Sequence, residues 1–349
     1  MQIAAVGRAF PDNYYDQKTL IEAFKKHWAK RHYNVDRLES LHRNVLVGGR
    51  HLALPLEEYE ELDSFTAANN AFIRCAVELG ARAIVDGLEA AGLDAREIDH
   101  IFFVTTTGVA TPSIDALVAN RLRLRPDMKR TPIFGLGCLA GAAGVARAAD
   151  YLRAHPNQVA VLVSVELCSL TLQREDLSIP NIIASGLFGD GAAAAILVGD
   201  NRANGGPTVV DSRSVFYRDT EEVMGWDITK EGFRVVLSAD VPRMVQEHIR
   251  EDVDKFLTDQ GLSRRDISSY VCHPGGPKVL EAFQEELELP PDALALTWES
   301  LRSVGNLSSA SVLMVLRDTM EQQRPREGSH GLMLAMGPGF CSELVLLRW

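Results

Sequence analysis

Apolar runs of strand length recur along the chain, and their continuity constrains the fold more than any other feature. IDHIFFVTTTG, QVAVLVSVELCSL, GDGAAAAILVGD and GLMLAMGPGF place apolar residues at successive positions rather than at alternate ones. A strand with one face in water alternates apolar and polar side chains, so such runs belong to strands covered on both faces. Helical patterns lie between them: residues 72–91 with Gly92 as a stop signal, then SIDALVANRLRL, LAGAAGVARAADYLRAH, PRMVQEHIREDVDKFLTDQGL, PKVLEAFQEEL and NLSSASVLMVLRDTM. This alternation predicts an α/β fold with helices layered on a central sheet. Turn-forming residues in NRANGGP interrupt the pattern and divide the chain into two halves, 1–204 and 205–349, the second repeating the order of the first.

The balance of charge narrows the partners. Lys and Arg number 36 against 47 Asp and Glu, a formal charge of −11, which offers no electrostatic footprint for nucleic acid or an anionic membrane. No integral membrane segment and no secretory leader are read from the sequence, so a cytoplasmic protein is expected. The five cysteines are odd in number and form no CxxC pair, which argues for reduced thiols and against a zinc site. The first sixty residues are rich in charge and read as a surface-facing prelude containing Arg37, His42, Arg43, Arg50 and His51.

Three segments hold groups suited to chemistry. In GLGCLAGAAG, Cys138 stands where a strand turns sharply into a small-residue helix; flanking glycines admit a tight bend and a close substrate, and the helix start favours thiolate over thiol. A cysteine packed at a helix–sheet contact fits that segment equally well. In VCHPGGP, an apolar strand delivers His273 into a loop fixed by prolines and glycines, and an imidazolium beside a thiolate would depress the thiol's pKa. In VGNLSSAS, Asn306 opens another small-residue helix, either as its cap or as a hydrogen-bond donor to a developing oxyanion.

Cys138, His273 and Asn306, in that order, resemble the Cys-His-Asn triad of type III polyketide synthases, the chalcone synthase-like members of the thiolase-fold condensing enzymes. The motifs that carry the resemblance are GLGCLAGAAG, LFGDGAAAAIL at 187–197, HPGGPKVL at 273–280, GNLSSASVL at 305–313 and GPGF at 337–340. The resemblance implies a thiolase-like fold of two similar halves in an α-β-α-β-α arrangement, and a homodimer. It implies that an acyl-CoA starter is loaded on Cys138 and extended by decarboxylative Claisen condensation with malonyl-CoA, these coenzyme A thioesters being substrates with no separate cofactor or metal. It further implies that Phe188 orients malonyl-CoA, and that Thr106, Thr107, Cys168, Thr171, Trp226, Val235 and Ser308 line the cavity. Arg43, Arg50 and Lys278 are the candidates to meet coenzyme A phosphates.

Val235 stands where plant chalcone synthases carry a gatekeeping Phe, and Cys168 replaces a Thr. Losing a ring makes room for methylenes, each worth about 0.8 kcal/mol when buried. This pattern looks like the bacterial alkylresorcinol and alkylpyrone synthases and points to a fatty acyl starter. Two other readings share the residues: a ketoacyl-acyl carrier protein synthase of the initiating type, and a catalytically silent acyl-binding scaffold.

Overall fold

The computed structural model describes residues 1–28, 35–202 and 205–349. The last residue of the predicted first half, and part of the helical pattern in the first sixty residues, lie outside them. Nine strands form one sheet, in the order Ile267–Cys272, His330–Gly337, Cys341–Arg348, Thr208–Phe216, Gln2–Ala9, Asp190–Val198, Val159–Leu167, Ile98–Thr105 and Lys129–Phe134. On the C-terminal side the first pair is parallel and the next two are antiparallel. From Ile98–Thr105 back to Gln2–Ala9 the same sequence of pairings recurs. Only Lys129–Phe134, at the edge beside Ile98–Thr105, has no counterpart. The two sets meet at a single register pair, Gln2 with Thr208.

Because they share so few rungs, the two sets of strands are joined mainly by what packs between them. Helices Ala140–Ala154 and Ser309–Gln322 lie against each other and touch strands of both sets. Their small residues permit this: a Cβ built on Gly141 would come within 2.3 Å of the Ser309 carbonyl oxygen. Helix Phe65–Ala91 covers the outer face of the N-terminal set, and Val241–Asp259 with Pro277–Glu286 covers that of the C-terminal set. The result is the expected five-layer α-β-α-β-α arrangement.

The continuous apolar runs follow from this layering. In Val159–Leu167, Ala160 and Leu162 face the central helices, whereas Val161, Val163 and Val165 face helix Phe65–Ala91. In His330–Gly337, Met333 and Ala335 face inward and Leu332 and Leu334 outward. Each large aliphatic side chain buried this way contributes about 1.5–3 kcal/mol of transfer free energy. Among the described residues no helix is long and apolar enough to cross a membrane.

The prelude departs from its expected surface character. His42 and Arg50 are fully buried, and the His42 imidazole sits 2.9 Å from the Ile182 carbonyl oxygen. Helix Ile179–Leu187 and the hairpin Met224–Thr229/Gly232–Leu237 were not read from the sequence.

Candidate active site

Strand Lys129–Phe134 leads into a turn at Gly137–Leu139, and the central helix starts at Ala140. Gly137 has φ of +52°, and a Cβ there would lie 2.5 Å from Pro338, so the GPGF loop presses directly on the nucleophile turn. Cys138 is buried at this turn. His273 directly follows strand Ile267–Cys272, where its N–H donates to the Leu334 carbonyl, 3.0 Å. Asn306 lies in the loop between helices Ala295–Val304 and Ser309–Gln322, and is not the cap of the second one.

A chain of hydrogen bonds gathers the three residues. The Cys138 thiol donates to Ser308 Oγ at 3.6 Å; the Ser308 N–H donates to Asn306 Oδ1 at 2.8 Å; Asn306 Nδ2 donates to the Gly275 carbonyl at 3.4 Å; and the Gly275 N–H donates to the His273 carbonyl at 2.9 Å. Ser308 holds this place with φ of +48°, a left-handed conformation that a non-glycine residue keeps only where its surroundings demand it.

His273 is 4 % exposed, yet among the described residues neither ring nitrogen has a hydrogen-bond partner. Buried polar atoms are nearly always partnered, which singles this ring out from the other buried polar groups around it. Burial pushes the Cys138 thiol up to about 12 and the His273 imidazole down to about 3. Low dielectric disfavours each charge taken alone, so a thiolate at Cys138 depends on the imidazolium of His273 as its partner.

Glu166, which the sequence reading did not single out, sits beneath the thiol. It is fully buried and accepts from the Thr106 N–H (3.0 Å), Thr107 Oγ1 (2.9 Å) and Ser309 Oγ, while burial still raises its carboxyl to about 7. The remaining signal was a single carboxylate inside an apolar strand, VSVEL.

A cavity of about 280 Å³ reaches Phe188, whose backbone bridges to Asn306. Phe188, Cys168, Thr171, Trp226 and Val235 line it, as expected, and none of Cys138, His273 and Asn306 does. Trp226 and Val235 are register partners across the hairpin, and Trp226 Nε1 donates to Thr106 Oγ1 at 3.2 Å. Thr171 Oγ1 donates to the Cys168 carbonyl at 2.8 Å, and burial holds the Cys168 thiol protonated. Thr107 borders a neighbouring cavity of about 440 Å³ instead. Leu20, Phe24, Leu52, Leu56 and Leu172 contribute apolar wall to the first cavity, and Lys26, His27, Glu57, Glu60 and Arg174 also line it.

The coenzyme A candidates separate. Arg43 is exposed and paired with Glu39, 2.6 Å, and Lys278 is exposed at the start of the helix that follows the His273 loop. Arg50 is a correction: it is 1 % exposed, and a guanidinium enclosed in the core is out of reach of phosphates that stay in water.

Comparison with known proteins agrees with this geometry. The family model for chalcone and stilbene synthases, N-terminal domain, matches residues 1–201, and that for the C-terminal domain matches residues 208–349. The chain is 49% identical to 1,3,6,8-tetrahydroxynaphthalene synthase of Streptomyces peucetius subsp. caesius, over 99% of this chain and 93% of that one. It is 31% identical to 3,5-dihydroxyphenylacetyl-CoA synthase of Amycolatopsis orientalis, over 100% of this chain and 93% of the other. The crystal structure of 1,3,6,8-tetrahydroxynaphthalene synthase from Streptomyces coelicolor A3(2), a bacterial type III polyketide synthase, superposes with a TM-score of 0.95 at 30% identity, covering 100% of this chain and 99% of that one. Triad, layered fold and relatives converge: the chain belongs to the chalcone and stilbene synthase family and is a type III polyketide synthase, an acyltransferase that builds chains by condensation.

Proposed function

We propose that this enzyme assembles a compact polyhydroxylated aromatic from malonyl-CoA units on Cys138. The carrying observation is the volume of the cavity that reaches Phe188. At about 280 Å³ it lies at the lower edge of small-molecule sites, roughly 300–1,000 Å³, and suits a folded polyketide better than a long chain. The similarity to two tetrahydroxynaphthalene synthases supports the same reading.

The chemistry follows from the groups present. Cys138 Sγ attacks the thioester carbonyl of the starter while His273 takes the thiol proton; coenzyme A leaves as its thiol, carrying that proton away. Malonyl-CoA then loses carbon dioxide, and the electron pair of the broken C–C bond becomes an enolate. Its oxygen accepts hydrogen bonds from His273 and from the Asn306 amide. The enolate carbon attacks the acyl group on Cys138, forming one C–C bond and releasing Sγ, with the lengthened chain now on coenzyme A. Phe188 stands between the cavity and the Asn306 loop, where it would orient the malonyl group. Arg43 and Lys278 remain candidates for the coenzyme A phosphates, and a second copy of the chain is the expected partner.

A second reading, a fatty acyl starter closed to an alkylpyrone or alkylresorcinol, is favoured by the leucines in the cavity wall and by Val235 among its lining residues. Mass spectrometry of products formed from malonyl-CoA alone, and with acyl-CoA starters of rising length, decides between them. The first reading expects an aromatic product without added starter. The second expects none without it, and a Val235→Phe enzyme restricted to shorter chains.

A further inference from the structure

We propose that Arg50 is a positioning residue that holds the Phe188 loop and the Asn306 loop in one register for decarboxylation. The proposal rests on the reading that Phe188 and Asn306 serve malonyl-CoA.

The two loops touch through their backbones at a single parallel bridge, Phe188 with Asn306. The Asn306 N–H donates to the Leu187 carbonyl at 2.9 Å, and the Gly189 N–H donates to the Asn306 carbonyl at 3.0 Å. The carbonyl between these two bonds, that of Phe188, accepts from Arg50 Nη1 at 3.1 Å. The aliphatic stem of Arg50 lies along both loops. A Cβ on Gly189 would come 3.3 Å from Arg50 Cβ, and one on Gly305 would come 3.3 Å from its Cγ and Cδ. Neither loop has a regular ladder beyond the bridge, so this side chain fills the space that would let them slide.

The electrostatic surroundings suit a fixed pin. Asp190, in the same LFGDG loop, is fully buried and accepts from the Ala53 N–H at 2.6 Å and the Ser169 N–H at 2.8 Å. It faces Arg50 through space without forming an ion pair with it among the described residues. The buried side chain borders the cavity, and among the described residues its Nε has no partner. Among the same residues the one side-chain hydrogen bond of Arg50 goes to the backbone that carries Phe188.

The test separates two half-reactions in the full-length enzyme: acyl loading on Cys138, read by intact-protein mass, and release of carbon dioxide from carboxyl-labelled malonyl-CoA. Loading needs Cys138 and His273, whereas decarboxylation needs the register of Phe188 and Asn306. The double variant Arg50→Met/Asp190→Asn removes both buried charges together, so no carboxylate is left unpaired. It is expected to load acyl groups within about threefold of the parent and to release carbon dioxide about 10²-fold more slowly, the scale of a misplacement near 1 Å. Arg50→Lys keeps the charge and most of the stem but not the planar fork, and the same split is expected at about tenfold. This variant carries the test if the double variant does not fold. Parental decarboxylation in either folded variant overturns the proposal, as does an equal fall in both half-reactions, which would mark a merely structural role. Asn306→Ala serves as the control: if it decarboxylates at the parental rate, the reading of Asn306 fails, and the premise with it, whatever Arg50 does.

Discussion

The central helix Ala140–Ala154 is entered through Gly137 and Cys138, and the central helix Ser309–Gln322 through Asn306 and Ser308. Each leads on to an equivalent strand of its half, Val159–Leu167 and His330–Gly337. The first entrance is shaped by backbone: a left-handed glycine wedged against Pro338 presents a sulfur. The second is shaped by side chains: Asn306 holds the Ser308 N–H, and Ser308 holds the sulfur, at the cost of a left-handed serine. In the proposed reaction one half of the fold supplies the atom that forms bonds to carbon, and the other supplies the polar contacts that steer it. A repeated fold position has taken on two unlike tasks.

Substitutions at the two entrances should therefore fail differently. The largest effect is expected at the first. Cys138→Ala removes the proposed acyl acceptor, so polyketide output should fall by about 10⁴-fold or more while carbon dioxide release from malonyl-CoA persists at a reduced rate. Product assays with both readouts check this, and normal output from that enzyme would end the assignment.

An intermediate effect joins the entrances. Glu166 lies under the thiol and binds Ser309 at the second helix start; its carboxyl is raised from an ordinary 4.5 to about 7 by burial. A raised carboxyl keeps its proton in the folded chain after the unfolded chain has lost it. Stability from this group is therefore complete below pH 4.5 and is lost as pH rises to 7, a fall of about 3 kcal/mol. Glu166→Gln should flatten the thermal-stability profile between those limits; an unchanged slope would contradict the buried protonated acid.

The smallest effect belongs to the second entrance. Ser308→Ala leaves the nucleophile in place and removes the hydroxyl whose hydrogen bond lowers the thiol's pKa, a contact worth about 1 kcal/mol, so alkylation of Cys138 by iodoacetamide should slow by several-fold at pH 9. The parent enzyme itself should alkylate slowly at pH 7 and faster with each unit above it, because the thiol is raised. A fast, flat profile from pH 6 upward would show a resting thiolate and restore the ion pair.

The legible parts of this molecule were those that local pattern controls. Unbroken apolar runs such as AAAAILV announce a strand between two helical layers, and the Gly- and Pro-framed loops around Cys138, His273 and Asn306 announce places where backbone must bend near a ligand. Arg50 was misread because a basic residue among basic neighbours looks the same in a sequence whether it faces water or the core; only the glycines at 189 and 305, far along the chain, make the space that buries it. Glu166 was passed over for a related reason. In a strand covered on both faces, alternation no longer distinguishes a buried acid from an exposed one. How strongly burial disfavours charge on Cys138 and His273 depends on how much protein surrounds them, which residue order does not encode.

Among the described residues, none fixes which of the His273 nitrogens carries the hydrogen. In many enzymes a carboxylate or carbonyl behind the imidazole settles the tautomer permanently. In the proposed reaction the same ring accepts from sulfur in one half of the cycle and donates to a carbonyl oxygen in the next, without breaking a side-chain bond to the described residues each time it changes role.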